Sequence, residues 1–165
     1  SRFLKKQSRF LMQMARFGEP FRGANRMTQA HAKLVDPIIT PNLHDGLLVG
    51  LALWPGRDPR ITVRDVAGAC YDIECHGATY FLATDVREGN IIYGMARLRG
   101  LAAEQRAIET FVGDINATEE RRKAAQALVE RMRASGSSVF SLESSFGCTI
   151  VCICTGVTVH KLDKE

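Results

Sequence analysis

Three thiols crowd one short stretch of this chain, "GCTIVCIC", at Cys148, Cys152 and Cys154. In an extended strand residues of like parity share a face, so all three sit on one side, where thiolates could converge on a metal ion. The spacing works against that use. Zinc sites draw ligand pairs from turns, at C-x2-C to C-x4-C, whereas Ile150 and its neighbours keep this stretch in a hydrophobic strand. A reactive thiol needs a helix N-terminus or a nearby cation, and the stretch supplies neither locally. The expectation is of buried thiols packed as small hydrophobes, with no metal and no cofactor.

Four other groupings have the residue types of an active site. Cys75 and His76 are adjacent, as a nucleophile and its base would be, but neighbours on a strand point to opposite faces and would need a bulge to meet. Asp72 and Glu74 share a strand face, as paired carboxylates for acid–base work would, and a wet sheet face accounts for them equally well. In "WPGRDPR", Arg57 and Arg60 flank a proline-rich turn beside Trp54, a setting for anion binding that reads first as a surface loop anchored by one aromatic. His44 belongs to "NLHDG", where Asp45-Gly46 supplies turn chemistry. No G-x-G-x-x-G, G-x-x-x-x-G-K-[ST] or G-x-S-x-G occurs, so the common nucleotide-binding and hydrolase signatures are absent.

These residues have to be carried by local structure. "GLLVGLALW" at 46–54 is apolar on both faces and bounded by turns, which suits a central strand. In "ACYDIEC", Tyr71, Ile73 and Cys75 alternate with Asp72, Glu74 and His76, the pattern of a strand with one wet face. "HG" at 76–77 and "DVREGN" can each turn the chain, giving a meander of four or five antiparallel strands over 38–93. Met95, Leu98, Leu101, Ile108 and Val112 recur at helical steps over 95–112. A second helix begins in "INATEERRKAAQALVERMRASG" with Asn116 and Glu119 as a capping box and closes at Ser135-Gly136. "VFSLE", a "SSFG" turn and "CTIVCICTGVTVH" return to strand, the last apolar on both parities and therefore interior. The pattern predicts an α+β domain over 36–165: an antiparallel sheet of about five to seven strands, with the helical pair 95–135 on one face.

Length and composition fit one such domain. Hydrophobic residues make up 45% and charged residues 24% of 165, close to ordinary globular usage. No apolar run reaches the roughly 18 residues that span a bilayer as a helix. No long apolar core marks a secretory signal, although an acid-poor start containing Arg and Ser also has the composition of a mitochondrial transit segment. Five cysteines cannot all pair within one chain, which points to an intracellular, reducing compartment, the cytoplasm first.

Charge is concentrated at one end. Residues 1–34 carry eight Lys or Arg against Glu19 alone, +7, while the other 131 residues carry 14 basic and 17 acidic side chains, −3. Over 2–17 a helix would align Phe3, Leu4, Phe10, Leu11, Met14 and Phe17, with Gly18 and Pro20 ending it. A second helix fits 25–35, up to Pro37. This basic arm, 1–35, is the expected working surface, through Arg2, Lys5, Lys6, Arg9, Arg16, Arg22 and Arg26. A protein partner or a second copy of the chain, with its mildly acidic body, matches that charge. Nucleic acid would match it as well, and an anionic membrane less closely, because the stripe lacks Trp and Tyr. The function expected is a non-enzymatic interaction or assembly subunit. The alternatives are a small enzyme with a site built from His76, Cys75, Asp72 or the Arg57/Arg60 loop, and a nucleic-acid binder using the arm.

Overall fold

Strand β4 (Cys70–His76) shows the expected alternation from Ile73 on, where Ile73 and Cys75 are wholly buried and Glu74 and His76 half-buried, but Asp72, expected on the wet face, is buried and Tyr71 only half-buried. It lies third in an antiparallel four-stranded sheet, β2 (Leu47–Ala52), β3 (Arg60–Arg64), β4 and β9 (Gly156–Lys161). A five-stranded antiparallel sheet has the order β1-β6-β7-β8-β5, from β1 (Val35–Pro37), β6 (Ile92–Leu98), β7 (Ser138–Ser144), β8 (Thr149–Cys154) and β5 (Tyr80–Thr84). Helices α1 (Gly100–Ala107), extended by a π-helical turn Ile108–Val112, and α2 (Glu119–Ser135) complete the elements. This computed structural model describes residues 35–37, 41–87 and 89–162. The N-terminal helix expected over 2–17, residues 25–34 of the second, and the arm cations Arg2, Lys5, Lys6, Arg9, Arg16, Arg22 and Arg26 lie outside them.

The class is α+β with antiparallel pairing throughout, but the strands form two sheets instead of one. The cause is a pair of crossovers. After His76 the chain leaves the small sheet and enters β5 of the large one; after Cys154 it makes the reverse passage into β9. "CTIVCICTGVTVH", read as one strand, is thus split at Thr155, whose backbone N–H and hydroxyl both donate to the His76 carbonyl, at 2.9 and 3.0 Å. Gly77 is required here, since it holds φ +60° and a Cβ would meet the Thr155 hydroxyl at 2.7 Å.

Stacking the two sheets gives a sandwich core: Ile61, Val63, Ile73 and Cys75 from the small sheet against Met95, Phe140, Leu142, Ile150, Cys152 and Cys154 from the large. The large sheet's other face, with Leu98, Val139, Val151 and Ile153, packs under Ala103 and Ala107 of α1 and Leu128 and Met132 of α2. Strand β8 is therefore covered on both sides, which is why it is apolar at both parities. Arg133 of α2 pins α1 through a two-pronged bond to Glu104, at 2.7 and 2.8 Å.

Several boundaries move. Residues 92–98 are strand, so the helical pair covers 100–135. Val35, read as a helix end, opens β1. Strand β2 sits at the edge of its sheet, not its centre, with Val49, Leu53 and Trp54 more than half exposed, so among the described residues Trp54 is a surface side chain. The cap of α2 is Thr118, whose Oγ1 accepts the Arg121 N–H at 3.2 Å, and Asn116 lies outside the helix. At the other end Gly136 closes it in the left-handed conformation, φ 64°, as expected. Replacing Thr118 with alanine is expected to lower stability by about 1 kcal/mol in urea unfolding, with Asn116→Ala within about 0.5 kcal/mol of wild type. The reverse order would restore the cap to Asn116.

Candidate functional site

The two crossovers bring β4 and β8 face to face, and with them Cys75, Cys152 and Cys154. The three Sγ atoms lie within 4.8 Å of one another, and each residue is fully buried. Cys152 and Cys154 reach the site by strand parity, the intervening Ile153 turning instead to the helices. Cys75 comes from the opposite sheet, where it pairs with Val157 of β9. Cys148 lies in the same sandwich core but outside the trio. All five thiols are free.

The protons of the trio are held unequally. Cys75 is pushed up, first by hydrogen bonding to Cys152 and Cys154 and then by burial. Cys152 is pushed up chiefly by its bond to Cys154. Cys154 is drawn down because it accepts from Cys152 and Cys75, with the positive charge of Arg97 and the Phe140 N–H adding on the same side. Arg97 is held in place by Nε donating to Ser138 Oγ and Nη2 donating to the Thr155 carbonyl, both at 2.8 Å. The trio is thus a linked set of sulfurs with a fixed cation at one end.

Among the described residues the enzyme candidates line neither of two surface hollows. Cys75 points inward and His76 outward, so no bulge brings them together. Outside, His76 forms part of a polar relay: Nδ1 meets Asp58 Oδ2 at 3.2 Å and Nε2 meets Thr158 Oγ1 at 2.7 Å, while Gly77 N–H donates to Asp58 Oδ1 at 2.9 Å. Acid, imidazole and hydroxyl stand in the order of a hydrolase triad. Thr158, however, lies exposed on β9, and two hollows found among the described residues do not include the relay. One of about 480 Å³ is lined by β2 with Arg64, Val86, Arg87 and Gly89; the other, about 400 Å³, lies between the start of α1 and the end of α2. On the same face Asp72 accepts from Thr62 Oγ1 at 2.7 Å and pairs with Arg60 at 3.5 Å, and Glu74 bridges Arg60 at 3.7 Å and His160 at 4.0 Å. Asp72 and Glu74 are therefore matched by cations and a hydroxyl along a sheet face. Arg57 turns the loop through its backbone, donating to the Trp54 carbonyl. His44 and Asp45 form an exposed turn pair at 3.0 Å.

Asp58, Thr158 and the union of Cys75 with the β8 thiols went unread in the sequence. No spacing signals them, because each depends on which strands become neighbours. No family model matches this chain, and no curated protein or solved structure matches it either. Among the described residues no helix is long and apolar enough to cross a membrane.

Proposed function

We propose that this chain is a non-enzymatic interaction and assembly subunit that works in a reducing, intracellular compartment. The observation that carries the reading is the β2 edge. Its run Leu47–Ala52 is uncharged, and among the described residues it pairs only with β3, apart from one bridge from Leu47 to Ile91. Val49, Leu53 and Trp54 are exposed along it, with Val86 across the adjoining hollow. An apolar strand edge with free main-chain donors and acceptors is a template for another strand.

The occupant proposed for that edge is a second copy of the chain. An uncharged edge is self-complementary in antiparallel pairing about a two-fold axis. The +7 arm and the −3 remainder are complementary between copies, or between the arm and an acidic surface of a larger complex. Arg2, Lys5, Lys6, Arg9, Arg16, Arg22 and Arg26 would supply that second contact. Among the described residues the relay at His76 lines neither of two surface hollows, and Cys75 points away from it, which favours this reading over an enzyme built from His76, Cys75, Asp72 or Arg57/Arg60.

Light scattering on the native particle tests it. The full chain is expected to be multimeric at low salt, to dissociate on removal of residues 1–22, and to weaken in Val49→Lys/Leu53→Lys. A monomer under all conditions would discard the proposal. Nucleic acid that co-purifies and leaves steeply as salt rises would replace it with the nucleic-acid reading.

A further inference from the structure

We infer that Cys75, Cys152 and Cys154 form a buried, all-sulfur, three-coordinate site for a monovalent soft cation, Cu(I). The geometry is close to what such an ion needs. Metal–thiolate bonds of about 2.3 Å, arranged in a trigonal plane, place the sulfurs about 4 Å apart. The trio already lies within 4.8 Å, mutual distances that small side-chain rotations can close.

Ligand type and number select the ion. Thiolate sulfur favours Cu(I) and Zn(II) over harder cations. Zinc, however, wants a tetrahedron, completed by a fourth protein ligand in structural sites or by water in open ones. Among the described residues no fourth Cys, His, Asp or Glu joins the group. Of the neighbouring acids and histidine, Asp72 and Glu74 pair with Arg60 on the outer face of β4, and Asp58, whose charge is felt at Cys152, spends its two carboxylate oxygens on His76 and the Gly77 N–H. Each of the three cysteines is fully buried, so water has no route to a fourth position. Three sulfurs in a dry site suit a closed-shell ion content with three ligands.

The charge balance is explicit. Cu(I) entering the trio displaces the protons that its sulfurs still hold and leaves a centre of three thiolates and one ion with net charge −2, which the positive charge of Arg97 partly offsets. The position within the fold also gives the ion something to do. Cys75 belongs to one sheet and Cys152 and Cys154 to the other, so the bound ion would tie the sandwich together just inside the crossovers at Gly77 and Thr155. Because the trio has no exposed surface, loading takes place while the chain folds or when that corner opens.

The test uses the full chain, refolded anaerobically with Cu(I) and then challenged with a chromophoric Cu(I) chelator. The expected result is one ion retained per chain, with X-ray absorption reporting three sulfurs and no nitrogen or oxygen. Cys75→Ala and Cys152→Ala are expected to weaken retention by more than about 100-fold, beyond the loss typical of outer-shell changes. Cys70→Ala and Cys148→Ala should retain the ion as the wild type does. The wild-type absorption spectrum decides the matter even if an alanine variant fails to fold. Failure of the refolded wild type to hold Cu(I), a shell containing nitrogen or oxygen, dependence on Cys70 or Cys148, or preferential retention of Zn(II) would each overturn the assignment.

Discussion

Replacing Phe140 with alanine is expected to remove about 3–5 kcal/mol of stability, the range for emptying a fully buried aromatic site. Phe140 is fully buried, is the largest such side chain among the described residues, and stands on β7 between Arg97 and Cys152. It belongs to the core between the sheets, where both neighbouring layers are fixed by their own hydrogen-bonded ladders and collapse poorly into a void. Against a typical total of about 5–15 kcal/mol, the loss takes about a fifth of the stability or more. Phe146 provides the contrast. It is 69% exposed and holds a left-handed φ of 59° in the turn before β8, so Phe146→Ala is expected to stay within about 0.5 kcal/mol of wild type. Urea unfolding of the two variants side by side checks both. A loss below about 1 kcal/mol for Phe140→Ala would mean that the sheets do not meet through this residue.

What could be read from the sequence follows from which signals are local. The alternation of β4 from Ile73 on and the apolar run of β8 up to Cys154 report solvent on one face or on neither; Asp72 is buried against that pattern, and the run breaks at Thr155. Strand β6 misled for a definite reason. A bulge between Ile92 and Gly94 resets its parity, so Ile92 and Met95, three residues apart, face the same core. Leu98 then packs under the helices on the opposite face. Ile92 falls in the part expected as strand; Met95 and Leu98, three residues apart and buried on opposite faces, imitate the step of a helix while the backbone remains extended. In β2 another register shift, between Leu48 and Gly50, interrupts a run whose composition suggested an interior strand.

The thiols divide in the same way. Parity was enough to place Cys152 and Cys154 together, and it placed Cys148 on that face as well. Nothing local could have brought in Cys75, because its approach depends on the chain changing sheets twice. Thr158 meets His76 for the same reason, since β4 pairs with β9 only after the second crossover, whereas Asp58 comes to His76 from the β3–β4 pair, whose Arg60–Glu74 register carried on sets 58 opposite 76. The arm is the converse case. Its charge is plain in the composition, and what it binds is not a property of the arm alone.

The second large effect is expected at the opposite corner of the sandwich, with Asn90→Leu. Asn90 is wholly buried; its Oδ1 accepts the Arg87 N–H, and its Nδ2 donates to the Ser145 carbonyl at 2.8 Å. Its own carbonyl accepts the Leu48 N–H at 2.9 Å, and Ser145 is further tied to Ile91, N–H to carbonyl at 2.7 Å. One side chain thus joins the backbone at Arg87, the start of β6 and the turn before β8. Leucine has a similar volume, so the change removes polarity more than bulk. It strands a backbone donor and a backbone acceptor, at about 1–3 kcal/mol each, for a combined loss of about 2–5 kcal/mol. Asn90→Asp keeps the acceptor for Arg87 but sets a carboxylate against the Ser145 oxygen. Burial and that carbonyl would raise its folded-state pKa above the unfolded value, so its destabilisation should grow as pH rises past about 4. Urea unfolding at pH 4 and pH 7 reads both variants, and hydrogen exchange at Leu48 and Ile92 locates the damage. If Asn90→Leu unfolds at the wild-type midpoint with those amides equally protected, the corner is held by its backbone bonds alone and the side chain is dispensable.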